Sequence, residues 1–69
     1  MNEQARAVEV LAEATVKYPH DALLWKSLGM LQYQRGEEDA ARKALEEALR
    51  LSPDDRQARF VVERLKGNK

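Results

Sequence analysis

Projected at about 100° per residue, Ala58, Val61, Val62 and Leu65 fall within one arc of roughly 100°, and Arg56, Arg59, Glu63 and Lys66 lie away from it. This is the pattern of a helix packed on one side and solvated on the rest. The N-terminal stretch is patterned differently. Ala5, Ala7, Val8, Val10, Leu11, Ala12, Ala14, Thr15 and Val16 spread over about 240° of a helical circumference, more than one neighbouring helix covers. That breadth predicts either a preceding helix or a second copy of the chain against it. Alanines tolerate exposure, and account for part of the breadth without any partner.

Across the whole chain the strong helix formers Ala, Leu, Glu, Lys and Arg dominate, and only three Gly and two Pro interrupt them. Breaks at Tyr18-Pro19-His20, at Gly36 and at Ser52-Pro53-Asp54, with a final stop at Gly67, predict four helices over residues 3–17, 22–35, 38–51 and 54–66. The fold class is therefore all-α, with short connections. Ser52 is expected to cap the last helix, with Pro53 at its first position and Asp55 completing a pattern like the capping box. Gly36 stands where a chain leaving a helix needs a positive φ. Glu37, Glu38 and Asp39 place negative charge at the positive end of the next helix.

Laid over itself so that Glu3 falls on Glu37, the chain aligns Ala7 with Ala41, Leu11 with Leu45, Glu13 with Glu47 and Ala14 with Ala48. In the same register Pro19 falls on Pro53 and Asp21 on Asp55. This offset is the period, about 34 residues, of one class of helical-hairpin solenoid. Both prolines falling in register argues against coincidence.

Residues 22–55 carry Trp25, Leu28, Gly29, Tyr33, Gly36, Ala41, Leu45, Ala48, Leu49 and Pro53, which in that order and spacing resemble the tetratricopeptide repeat. Gln32 departs from the pattern, where an aromatic is usual, with Tyr33 beside it as a substitute. By the same register, residues 1–21 look like the second helix of a preceding repeat and residues 56–69 like a C-terminal capping helix, with Arg59 in place of the tryptophan and Glu63 in place of the glycine. A polar outer face is what ends a repeat array. The resemblance implies antiparallel helical hairpins stacked as a short right-handed solenoid of about four helices, a single domain over residues 1–69. Gly29 and Ala41 are expected to be small because two helices cross there, with Trp25, Leu28, Leu45 and Ala48 filling the gap between them.

The resemblance also implies a protein-interaction scaffold with a concave groove for a peptide or protein partner. The groove would present Leu23, Lys26, Met30 and Tyr33 from one helix and Gln57, Phe60 and Arg64 from the next. Phe60 projects about 100° or more from the apolar arc of its helix, so packing alone does not require an aromatic there. Flanked by Lys26 and Arg64, it would hold an apolar side chain while the cations meet a carboxylate. Recognition of acidic chaperone C-termini, known in the family, is disfavoured, because Ser27, Met30, Gln57 and Val61 stand where polar and basic partners of Lys26 would be expected. The alternative function is a structural self-association module, a homodimer joined through Val8, Val10, Ala12 and Val16 of the first helix.

Composition narrows the classes further. Twelve basic and twelve acidic residues cancel, leaving no basic field to attract nucleic acid or an anionic membrane. No apolar run approaches the roughly 20 residues that span a bilayer, and Met1-Asn2-Glu3-Gln4 lacks the features of a signal peptide. A soluble protein is expected, with the cytoplasm favoured. There is no cysteine, and the single His20 cannot assemble a metal site, so neither metal nor cofactor is expected. His20 beside Asp21 is the one pair resembling a base and its orienter. With no nucleophile motif near it, His20 reads as a loop residue and the chain as a non-enzyme. A domain of this size retains about 3–5 kcal/mol of net stability, and about three repeats are usually needed for a continuous core. Marginal folding or dimerisation follows, exchange of the first helix between copies being a low-cost route.

Overall fold

Helix-forming segments separated by Pro- and Gly-bearing turns give four helices in the computed structural model, which describes residues 3–67: α1 (Glu3–Lys17), α2 (Ala22–Gln34), α3 (Glu38–Leu51) and α4 (Arg56–Gly67). The outermost positions of the expected domain, 1–2 and 68–69, lie outside the described residues. Each helix packs on the next as a stack of helical hairpins, and the α2–α3 pairing is the most extensive. The described residues contain no strand.

The α2–α3 seam is close because one residue has no side chain. A Cβ built on Gly29 would lie 2.6 Å from Leu45 Cγ, 2.9 Å from its Cδ2 and 3.1 Å from the Ala41 carbonyl oxygen. Ala41, Ala44, Leu45 and Ala48 all turn inward on α3 and are buried, with Leu28 and Gly29 opposite on α2. Trp25 is half-buried at the edge of this seam. On the other side of Leu45 the core continues into Ala58, Val61 and Val62 of α4, with Met30, Tyr33, Leu49 and Leu65 packed around it. Gln32 buries its Oε1 with no hydrogen-bond partner, while the neighbouring Tyr33 supplies the aromatic ring on the core.

Helix α2 ends as the glycine predicts. Gly36 has φ of 80°, its N–H donates to the Tyr33 carbonyl (3.1 Å), and the Glu37 N–H donates to that of Gln32 (2.9 Å). These are the two bonds of a Schellman closure, which needs a left-handed residue at this point.

The other two turns, around Pro19 and around Pro53, are the same joint made twice in the repeat register. Tyr18 N–H donates to the Ala14 carbonyl and Ser52 N–H to that of Ala48; Asp21 N–H donates to Tyr18 and Asp55 N–H to Ser52. The Asp21 carboxylate accepts from the Leu24 amide (3.3 Å) and the Asp55 carboxylate from the Ala58 amide (3.1 Å). Each aspartate thus satisfies an amide at the open start of a helix. Lastly, the Trp25 indole N–H reaches back to the Pro19 carbonyl (2.9 Å), and the Arg59 guanidinium to the Pro53 carbonyl (2.7 Å). Position 59 keeps the hydrogen bond of the tryptophan while exchanging its ring for a charge.

This corrects the expected start of the last helix. Asp55, not Ser52, caps it, and Pro53 lies in the turn rather than at the first helical position. The Ser52 N–H closes the end of α3, and the Asp55 carbonyl accepts the first bond of α4, from Arg59 (3.1 Å). A carboxylate cap also sits better than a hydroxyl at a helix N-terminus.

Helix α1 touches the stack on one side only. Thr15 is its one buried residue among those described, and its Oγ1 donates to the Ala12 carbonyl (2.7 Å), so the polar group is satisfied within its own helix. Val8, Leu11 and Ala12 are half-buried, whereas Val10 and Val16 are exposed.

Candidate interaction surface

Positions three and four apart on α2 put Lys26, Met30 and Tyr33 on one flank, and the same spacing on α4 aligns Gln57, Phe60 and Arg64. In the repeat register Leu23 falls on Gln57, Lys26 on Phe60 and Met30 on Arg64. Their environments differ. Met30 and Tyr33 are half-buried, wedged against the Leu45–Ala58–Val61–Val62 cluster, so they serve as core and surface at once. Leu23 is exposed at the start of α2, and Gln57 and Arg64 are exposed on α4. Tyr33 and Arg64 border a common concavity of about 400 Å³, together with Glu38, Glu63 and Leu65.

Phe60 does not fold back over the preceding hairpin. It is 63% exposed, on the side of α4 opposite the buried Ala58, Val61 and Val62. Full burial of such a ring brings roughly 1.5–3 kcal/mol, and the greater part of that is forgone here with nothing in the fold requiring it.

Lys26 is engaged, contrary to its expected role as a cation facing solvent beside Phe60. Its Nζ lies 3.1 Å from Asp55 Oδ2 and ties α2 to the start of α4. The Ala58 amide, and then Lys26, hold the Asp55 carboxyl below the usual aspartate range. One residue thereby caps α4 and links it to α2. Sequence reasoning placed Asp55 in a cap but missed its pairing with Lys26, a contact that local spacing does not reveal. Arg64 forms no ion pair among the described residues and is the cation left on this face.

Elsewhere the charges are surface pairs. Glu46 meets Arg42 on its own helix (3.4 Å) and Lys66 of α4 (3.7 Å), and Glu47 pairs with Arg50, which holds the Glu47 carboxyl low. Such exposed pairs contribute little to stability. His20 sits in the turn after α1. Among the described residues no three His, Cys, Asp or Glu side chains stand together in a way that would hold a metal ion, and no helix is long and apolar enough to cross a membrane.

A tetratricopeptide repeat family model matches residues 2–66. No curated protein and no solved structure matches the chain. Such repeats are in general scaffolds for protein–protein interaction rather than enzymes. The family match, the stack of helical hairpins and the closely packed Gly29 seam agree: the chain belongs to the tetratricopeptide repeat family.

Proposed function

We propose that the chain binds a peptide or protein partner on the face formed by Leu23, Lys26, Met30 and Tyr33 of α2 and Gln57, Phe60 and Arg64 of α4. The observation that carries this reading is Phe60, an exposed aromatic aligned with Gln57 and Arg64 and set apart from the core. The ring offers an apolar anchor and Arg64 a cation beside it, so the favoured occupant is a segment with an apolar side chain and a nearby carboxylate. Met30 and Tyr33 give the floor an adaptable thioether and a phenol. Lys26 acts here through Asp55, linking the two helices rather than meeting the ligand.

Selection of binders from a displayed random-peptide library, followed by titration calorimetry, tests the proposal. Phe60→Ala is expected to weaken binding by roughly tenfold or more, and Arg64→Ala by less. Selected peptides that bind both variants as tightly as the parent chain would place the binding surface elsewhere.

A further inference from the structure

Register-equivalent positions on α1 and α3 have opposite fates. Ala41, Ala44, Leu45 and Ala48 are buried within the stack, Ala41 and Leu45 against Gly29 of α2, and Ala44 is only 4% exposed. Their equivalents one repeat earlier are Ala7, Val10, Leu11 and Ala14, and Val10 is 57% exposed. Glu3, Arg6, Ala7, Val10 and Leu11 border an open concavity of about 510 Å³ along this strip. The strip has the composition of a helix seam and no helix on it.

We infer that this strip joins two copies of the chain, α1 against α1 in antiparallel orientation about a two-fold axis near Val10. This stands independently of the groove, which uses α2 and α4. Three observations select this occupant. The strip is self-complementary in charge: Glu3 and Lys17 lie at opposite ends of the helix, as do Arg6 and Glu13, and each pair has its midpoint within about half a residue of Val10. Reversing one copy on another therefore sets Glu3 opposite Lys17 of the second copy and Arg6 opposite its Glu13, each pair twice, as a two-fold interface requires. Glu3, Arg6 and Glu13 have no ion pair within the chain among the described residues.

The second observation is size. Ala7 and Ala14 are also symmetric about this centre, so small residues meet small residues on both sides of Val10, and the helices approach closely. The third is elimination. The other candidate within a second copy is α4, which is the register equivalent of α2. Glu63 stands in the place of Gly29, with Arg59 and Lys66 on the same side, and all three are exposed. Docked on α1, that face would press charges onto the apolar centre of the strip, Ala7, Val10, Leu11 and Ala14, and would lack the residue without a side chain that lets α2 approach α3 so closely. A parallel α1 pair sets like charges together at all four positions and aligns the helix dipoles unfavourably.

Sedimentation equilibrium of the whole chain across a concentration series tests the interface, with far-UV circular dichroism confirming that each variant keeps its helices. The parent chain is expected to dimerise. Val10→Glu buries two unpaired carboxylates near the axis and should weaken the dimer by roughly a hundredfold or more. Arg6→Glu turns two attractive pairs repulsive and should weaken it by roughly tenfold. The double variant Arg6→Glu with Glu13→Arg exchanges the charges and should restore the dimer to within about threefold of the parent. Because residues 6, 10 and 13 are exposed, loss of the dimer with unchanged helicity is not unfolding. A parent chain that is monomeric at every concentration overturns the proposal. So does a dimer indifferent to Val10→Glu, or a double variant as weak as Arg6→Glu alone.

Discussion

Helices α1 and α3 share Ala, Leu and Ala at three equivalent positions, Ala7 and Ala41, Leu11 and Leu45, Ala14 and Ala48, yet Leu45 is wholly buried while Leu11 is only partly covered, and Ala44 is sealed while its equivalent Val10 is open. The difference lies in the neighbours. Helix α3 stands between α2 and α4, whereas among the described residues α1 packs chiefly on α2. In a stacked array burial belongs to the position in the stack, so one sequence pattern can be core in one unit and surface in the next.

The comparison is sharpest in a pair of equivalent truncations. Leu45→Ala is expected to cost about 2–5 kcal/mol, close to the whole stability of a domain this small, and Leu11→Ala well under half of that. Urea unfolding followed by circular dichroism measures both. Equal losses would mean that α1 is as well covered as α3.

A second pair probes the close approach. Gly29→Ala forces a methyl group toward the Leu45 branch point and should destabilise by about 1–3 kcal/mol, even though alanine is the better helix former. Its register equivalent, Glu63→Ala, lies on the open side of α4 and should fall within about 0.5 kcal/mol of neutral. If Gly29→Ala were stabilising, the seam would have more slack than the 2.6 Å approach allows.

The smallest expected effect concerns the two capping aspartates. Asp55→Ala removes a cap and the partner of Lys26 and should cost about 1 kcal/mol, with Asp21→Ala losing the cap alone. Because the Asp55 carboxyl is held low in the folded state, its contribution is complete above its unfolded value and disappears as the pH falls through the lower folded one. Stability of the parent chain should therefore decline below about pH 4, and that of Asp55→Asn, which still caps, should decline less. Parallel pH profiles for the two proteins would place the acid sensitivity at other carboxylates.

Much of this fold was legible in the sequence because its signals are local and repeated. The predicted bounds of α1 and α3 match those observed, and Gly36 and Gly29 do what their lack of a side chain suggested. The start of α4 was misplaced because Ser52-Pro53 imitates a cap followed by a first-turn proline, a local signal that the better carboxylate cap further along the turn overrides. The register pointed the right way, since Asp55 falls on Asp21. The surface was harder to read. The exposure of Phe60 follows from its angle on the helix, but the Lys26–Asp55 pair joins residues far apart in sequence, and no periodicity announces it.

The proline carbonyl in each of the two like turns accepts once from an indole and once from a guanidinium. The joint therefore specifies only a donor at the right reach and leaves the body of the side chain free. The same backbone turn can thus be kept while the side chain beside it is changed from a half-buried ring to an exposed charge, so the joint and the surface it presents can vary independently.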